Sequence, residues 1–205
     1  MSGRLIVVEG IDGAGTTTLA GRLVAALRHR GVTVELEAEP TRGPFGATLR
    51  QAIEGRLELD PVAIALGFAA DRADHIANAT RGLTRTLDLG TWVVCDRYVA
   101  SSIAYQTSQG LDASWLATIN RYARRPDLTV FVDTPVEECL RRSSARSGHS
   151  DMFERRELLE AVLGVYRRLL DEPDLAGPMT PVDGTIAAGA LADQVMALIA
   201  ERGLL

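Results

Sequence analysis

Lysine is absent from this chain of 205 residues, and all 22 of its basic residues are arginine. Side-chain charge for binding a phosphate group must therefore come from guanidinium groups, which stay charged and can donate two parallel hydrogen bonds. Against 27 acidic residues the arginines leave a formal net charge of −5. This balance argues against nucleic acid or an acidic membrane as the main partner, and it still allows a local positive cleft for a small phosphorylated ligand.

Cysteines and long apolar runs are also scarce. Cys95 and Cys139 lie in apolar surroundings without metal-ligand spacing, so we expect them to be reduced core residues in a reducing compartment. No apolar run reaches the length of a membrane span, and the chain enters a strand too early to fit a signal peptide. We therefore expect a cytoplasmic protein.

The segment from Leu5 to Thr18 reads LIVVEGIDGAGTTT and has the form of a phosphate-binding loop between a buried strand and a helix. Its glycines, Gly10, Gly13 and Gly15, permit the positive φ angles that aim successive backbone N–H groups at an anion. It departs from the usual pattern G-x-x-x-x-G-K-[ST] because Thr16 stands where a lysine reaches the β- and γ-phosphates. The alternative interpretation is an ordinary glycine-rich turn.

Strand-like and helix-like segments alternate along the chain. Strands are predicted at Leu5–Glu9, Val32–Ala38, Trp92–Asp96, Leu128–Asp133 and Met179–Val182. Helices are predicted at 17–30, 45–54, 61–78, 100–108, 113–124, 136–146, 154–171 and 188–202. This order predicts a single α/β domain over residues 1–205, with a five-stranded parallel sheet and helices on both faces. Ligands of such sheets gather beyond the carboxyl ends of the strands.

A second group of polar residues follows the third predicted strand. Asp96 and Arg97 offer a metal-directed carboxylate beside a phosphate-directed guanidinium. On the helix that follows, four residues mostly share one side and suit a wall for a nucleoside: Ser101, Ser102, Tyr105 and Gln106. The alternative is a surface ion pair followed by a solvated helix face.

Phe68 and Arg72 are four residues apart on a predicted helix and therefore project together. A base could stack on the ring while the guanidinium donates to its carbonyl edge. The alternative is a phenylalanine in the core and an arginine in a surface ion pair with Asp71 or Asp74.

Taken in order, the segments GIDGAGTTT, EPTR, FAADRADH, DRYVASSIAYQ and a late arginine-rich stretch resemble the thymidylate kinases over nearly the whole chain. The resemblance implies a three-layer P-loop NTPase fold with a short lid. It implies transfer of the γ-phosphoryl group of ATP to thymidine monophosphate (dTMP), a step of dTTP biosynthesis. It also implies Mg²⁺ as cofactor and a homodimer, with neither nucleic acid nor membrane as partner.

The resemblance assigns ATP binding to the loop, namely to Gly10, Ile11, Asp12, Gly13, Ala14, Gly15, Thr16, Thr17 and Thr18. Magnesium would lie near Thr17 and Asp96. For dTMP, it places Phe68 on the thymine ring and Arg72 at the thymine O4, with Ser101 and Ser102 near the base. Tyr105 would pack beneath the deoxyribose, where a 2′-hydroxyl would clash, with Gln106 on the same wall. Arg97, Arg42 and Asp12 would approach the acceptor phosphate.

The lid implied by the resemblance covers about residues 142–151, with a centre rich in serine and glycine. Arg142 and Arg146 are spaced i, i+4 and could close over ATP together. With Asp12 and Arg97 they form the expected catalytic set. The alternative is a solvated basic helix end, where Arg141 interacts favourably with the helix dipole.

Two other functions stay open at this point. The missing lysine would suit a non-catalytic nucleotide-binding protein derived from this fold, although the acceptor motifs and the lid arginines argue for activity. A kinase for another deoxynucleoside or its monophosphate is the closer alternative. The sequence leaves open the acceptor preference among pyrimidine nucleotides, the oligomeric state, which lid arginine is catalytic, and whether Thr16 allows full activity.

Overall fold

A computed structural model of the chain describes residues 2–144 and 152–205. Five parallel strands form one sheet, and their order across it is β2-β3-β1-β4-β5. Their bounds are β1 Leu5–Glu9, β2 Val34–Ala38, β3 Trp92–Asp96, β4 Leu128–Asp133 and β5 Thr180–Asp183. The predicted five-stranded parallel sheet is thereby confirmed, although β2 and β5 begin slightly later than expected.

The central strands place the phosphate-binding loop beside the second polar motif. β1 and β3 are buried along their whole length, as strands covered on both faces must be. They pair in parallel, and Val8 of β1 lies opposite Asp96 of β3. The loop that leaves β1 and the segment that leaves β3 therefore start at the same edge of the sheet.

Ten helices are present in the described residues, and most follow the predicted bounds closely. They are α1 Thr16–His29, α2 Pro44–Ile53, α3 Pro61–Ala77, α4 Leu83–Asp88, α5 Val99–Ser108, α6 Ala113–Ile119, α7 Val136–Ser144, α8 Met152–Asp171, α9 Pro173–Ala176 and α10 Ala188–Glu201. The prediction of one helix over 113–124 is wrong beyond Ile119. There Asn120 is the C-cap, and its side chain turns back to donate to the Leu116 carbonyl at 2.9 Å.

The hydrophobic core contains side chains of the sheet and of the helices that pack on it. α1 packs against α10, and α5 packs against α8. Tyr166 of α8 stacks on Phe131 of β4 with ring centroids 5.0 Å apart, which fixes α8 against the sheet. Over residues 2–144 and 152–205, no helix is both long and apolar enough to cross a membrane.

Candidate active site

The loop between β1 and α1 has the backbone of an anion-binding nest. Gly13 and Gly15 have φ angles of 89° and 101°, in the region that favours glycine. Gly15 caps α1 without any side-chain hydrogen bond, so the first N–H groups of the helix stay available to a ligand. A Cβ atom on Gly13 would lie 2.5 Å from the Cys139 carbonyl oxygen, because the loop packs closely on α7.

Arg142 braces this loop through the Ala14 carbonyl, which accepts a hydrogen bond from its Nη1 at 3.1 Å. The Thr134 hydroxyl donates to the same carbonyl at 3.3 Å. The other donors of Arg142 are directed to Glu138, 2.7 Å from Nε, and to the Gly184 carbonyl, 2.9 Å from Nη2. The guanidinium thus supports the back of the loop, and a catalytic role for it stays a prediction.

The lid predicted over 142–151 is described only in part. Residues 142–144 end α7. Arg146 lies outside the described residues, so its expected catalytic role stays a prediction from the sequence.

A cavity of about 470 Å³ opens at the loop and contains most of the residues expected to bind ATP. Its lining consists of Asp12, Gly13, Gly15, Thr16, Thr17, Thr18, Arg97, Ser143 and Arg155. Ile11 and Ala14 are buried beneath the loop, and the Gly10 carbonyl accepts from Arg97 at 2.7 Å. These three residues shape the loop and do not line the cavity. We call this cavity the phosphate cavity.

Arg97 connects the phosphate cavity to the expected acceptor wall. Its φ is 71°, the only positive φ of a non-glycine residue in the described parts of the chain. Nη2 donates to the Asp12 carboxylate at 2.6 Å, and the guanidinium lies 5.4 Å from the centre of the Tyr105 ring. The Tyr105 hydroxyl accepts from the Asp12 N–H at 3.0 Å. Three residues expected at the acceptor phosphate and sugar therefore form one contact group at the edge of the cavity.

Glu9, at the end of β1, holds the segment that follows Arg97 through hydrogen bonds. It is a site residue that we did not predict. Its buried carboxylate accepts hydrogen bonds from the Ser101 hydroxyl at 2.5 Å, the Tyr98 N–H at 2.9 Å and the Tyr166 hydroxyl at 2.9 Å. Burial raises the pKa of Glu9, opposed by the hydrogen bond from Ser101 and the charge of Arg97. In the sequence, this residue could have been recognised as a carboxylate at the end of an otherwise apolar strand.

Arg72 is fully buried in a polar network and does not form the surface ion pair of the alternative interpretation. Its Nε donates to the Glu39 carboxylate at 2.8 Å. Nη2 donates to the Ser102 hydroxyl at 2.9 Å and to the Tyr98 carbonyl at 3.1 Å, while Nη1 donates to Asn120. The structure thus brings together Arg72 and Ser102, both expected at the base, and adds Glu39 and Asn120 to them.

The remaining base-side residues leave one polar atom for a ligand. Phe68 is half-buried on α3, one turn before Arg72. Gln106 is buried on α5, and its Oε1 has no hydrogen-bond partner among the described residues. A buried amide oxygen without a partner is costly unless a ligand or water donates to it.

Arg42 is not among the residues that line the phosphate cavity. It lines a second cavity, of about 680 Å³, together with Glu37, His75, Arg81 and other residues. Arg97 is not in that lining, whereas Thr17 borders both cavities. A contact between Arg42 and the acceptor phosphate stays a prediction.

Thr17 and Asp96 offer a suitable site for a magnesium ion. The Thr17 hydroxyl donates to Asp96 Oδ2 at 2.5 Å, and Asp96 Oδ1 is buried without a hydrogen-bond partner in the described residues. The part of the chain that the structure describes contains no cluster of three or more metal-binding side chains. A site with few protein ligands suits Mg²⁺, because this ion usually keeps several water ligands and also binds phosphate oxygens of the nucleotide.

Comparisons of the sequence with known proteins give matches to one family. A family model described as thymidylate kinase matches residues 8–175. A probable thymidylate kinase of Pyrococcus abyssi (strain GE5 / Orsay) is 40% identical over 176 residues, which are 83% of this chain and 84% of that protein. A thymidylate kinase of Xanthomonas oryzae pv. oryzae (strain PXO99A) is 38% identical over 195 residues, which are 95% and 80% of the two chains.

Proposed function

The chain belongs to the thymidylate kinase family, and we propose that it phosphorylates dTMP from ATP in the phosphate cavity described above. This proposal rests on one contact, which joins the loop expected to bind ATP to the residues expected to bind dTMP. The anion-binding loop supplies Asp12, whose carboxylate lies 2.6 Å from the Arg97 guanidinium, and Arg97 itself lines the cavity. A donor phosphate on the loop and an acceptor phosphate at Arg97 would therefore be neighbours.

On the donor side, the backbone N–H groups of the loop hold the phosphates without help from a lysine. The open amino end of α1 adds its dipole to these N–H groups. Thr17 and Asp96 would hold the magnesium ion, which neutralises phosphate charge when it is bound with ATP.

On the acceptor side, Arg97 neutralises the dTMP phosphate and Asp12 holds the guanidinium in place. Tyr105 presents its ring beside Arg97, where the deoxyribose would pack. The Arg72 guanidinium has five N–H donors, and those at Nε and Nη2 together with one at Nη1 have protein acceptors. One N–H at Nη1 is left for the thymine O4, and Gln106 Oε1 can accept from the base.

The reaction requires positioning and charge neutralisation and no covalent intermediate. The acceptor oxygen attacks the γ-phosphorus in line, its bond to phosphorus forms, and the bond to the ADP oxygen breaks. The guanidinium of Arg97 and the loop N–H groups stabilise the charge on either side of the transferring group. The same geometry argues against a non-catalytic binding protein, since such a protein would not need an acceptor wall facing the loop.

Substrate preference tests the proposed function. With Mg²⁺ and ATP, release of ADP should be fastest with dTMP. The value of kcat/KM should be lower by about 10- to 100-fold for 5-methyluridine monophosphate, which differs from dTMP only in the 2′-hydroxyl that meets Tyr105. Tyr105→Ala should weaken this discrimination more than Tyr105→Phe, which keeps the ring. Equal use of both nucleotides would contradict the role of Tyr105. Binding of both substrates without transfer, restored by Thr16→Lys, would favour the regulatory alternative.

A homodimer is supported by exposed apolar side chains on two neighbouring helices. Four exposed large hydrophobic residues lie on α2 and α3, which pack on each other: Phe45, Ile53, Val62 and Leu66, with exposures from 41% to 61%. Sedimentation equilibrium should give a dimer, and the double variant I53E/L66E should shift it to monomer. Leu89→Glu is the control, because Leu89 is 70% exposed but lies beyond α4. A wild-type monomer would overturn this assignment. The cytoplasmic location stays a prediction from the sequence.

A further inference from the structure

The phosphate cavity contains an arginine that the loop pattern does not predict. Arg155 lies in the first turn of α8 and lines the cavity with Gly15, Thr16 and Thr17. Its side chain is half-buried. It therefore faces the part of the loop where a lysine is missing.

The next residue, Arg156, is oriented differently, so the two adjacent arginines are not equivalent. Arg156 turns away from the cavity and donates to Glu137, with Glu160 3.7 Å away. Arg155 has neither a hydrogen bond nor an ion pair with any residue in the described parts of the chain. The donors of this guanidinium are therefore available to an anion in the cavity.

The position of Arg155 is fixed by contacts further along α8. Tyr166 stacks on Phe131 of β4 and donates to the Glu9 carboxylate at 2.9 Å. α8 also packs against α5 and α7. These contacts hold the helix in place, so Arg155 does not have to be ordered by the ligand.

The other cation that lines the cavity is already engaged. Arg97 donates to Asp12 and to the Gly10 carbonyl and faces the acceptor wall. Arg142 is directed to the Ala14 carbonyl behind the loop and does not line the cavity. In the described residues, Arg155 is the one cavity arginine whose donors have no protein acceptor.

We propose that Arg155 binds the β- and γ-phosphates of ATP and supplies the positive charge that Thr16 does not. A guanidinium can donate two parallel hydrogen bonds to phosphate oxygens, so it replaces the point charge of a lysine with a directional contact. The charge thereby moves from the loop to α8. This inference rests on the proposed donor site in the phosphate cavity.

The test compares Arg155→Gln with Arg156→Gln, two variants that remove the same charge from adjacent positions of one helix. Affinity for Mg–ATP is measured directly by titration calorimetry, and kcat and KM are measured for both substrates. Arg155→Gln should lose about 10- to 100-fold in ATP affinity or in kcat/KM for ATP, with little change in KM for dTMP. Arg156→Gln should stay within about twofold, because an exposed ion pair contributes little. Arg155→Lys should keep part of the function.

A second variant tests the replacement itself. Thr16→Lys should change the wild type little and should recover most of the ATP affinity lost in Arg155→Gln, because the lysine restores the charge on the loop. Equal effects of Arg155→Gln and Arg156→Gln, or no recovery by Thr16→Lys, would overturn the proposal. Thermal melting checks folding, and we expect an unchanged Tm because Arg155 has no described protein partner. If the wild type binds ATP without transferring phosphate, the proposed function fails, and the affinities alone still decide the role of Arg155.

Discussion

Replacing Arg72 by alanine is expected to lower the free energy of unfolding by about 3–5 kcal/mol. The change removes the cation that lies 2.7 Å from the buried Glu39 carboxylate. It also removes the donors to Ser102, Asn120 and the Tyr98 carbonyl. Glu39 would keep the contact of its Oε1 with His75 Nδ1 at 2.9 Å but would lose its arginine, so much of the loss comes from this buried carboxylate.

Urea denaturation followed by circular dichroism measures this loss. Arg121→Ala is the matched control, since Arg121 is exposed and contacts Tyr122, its neighbour in the chain. The double variant R72M/E39Q should recover part of the stability, because it removes both charges and keeps much of the volume. A loss below about 1 kcal/mol in Arg72→Ala would show that the network contributes little.

Replacing Arg97 by alanine should reduce kcat/KM for dTMP by about 10²- to 10³-fold. The guanidinium is the charge that connects the loop to the acceptor wall, through Asp12 at 2.6 Å and the Gly10 carbonyl at 2.7 Å. ATP affinity should change much less, because the loop N–H groups hold the donor phosphates. Kinetics at saturating ATP with varied dTMP measure the effect.

Comparing Arg97→Gly with Arg97→Ala separates the loss of the guanidinium from the backbone strain at this position. Both variants lose the guanidinium, but only glycine adopts a φ of 71° without strain. Activity should be equally low in both, while Arg97→Gly should be more stable than Arg97→Ala by about 1 kcal/mol. An alanine variant with near-normal use of dTMP would refute the acceptor role of Arg97.

The sheet and the loop were predictable because their signals are local. Buried β-branched runs predict the strands, and glycines at fixed spacing predict the turn. α4 and α9, with six and four residues, are too short to show a helical period and were not predicted. The end of α6 was missed because Asn120 serves a distant partner, Arg72, from a position 48 residues further along the chain.

The residues of the candidate site that belong to a sequence motif were predictable. Those that reach the site from distant parts of the chain were not. Arg97, Asp12 and Tyr105 meet as their motifs indicated. Glu9 looked like the end of a strand, and its partner Tyr166 lies 157 residues away. Arg155 is one of two adjacent arginines after a glutamate, a pattern typical of a solvated helix face. Only the packing of α8 shows which of the two faces the cavity.

α8 connects the proposed ATP contact with the residues expected to bind dTMP. Arg155 at the phosphate cavity and Tyr166 at Glu9 are eleven residues apart on this helix, or about 16 Å along its axis. Glu9 in turn holds the backbone of Tyr98, the residue after Arg97. A displacement of α8 on ATP binding would therefore reach the residues expected to receive dTMP. Linkage would make such a coupling reciprocal, so that each substrate changes the affinity for the other by the same factor.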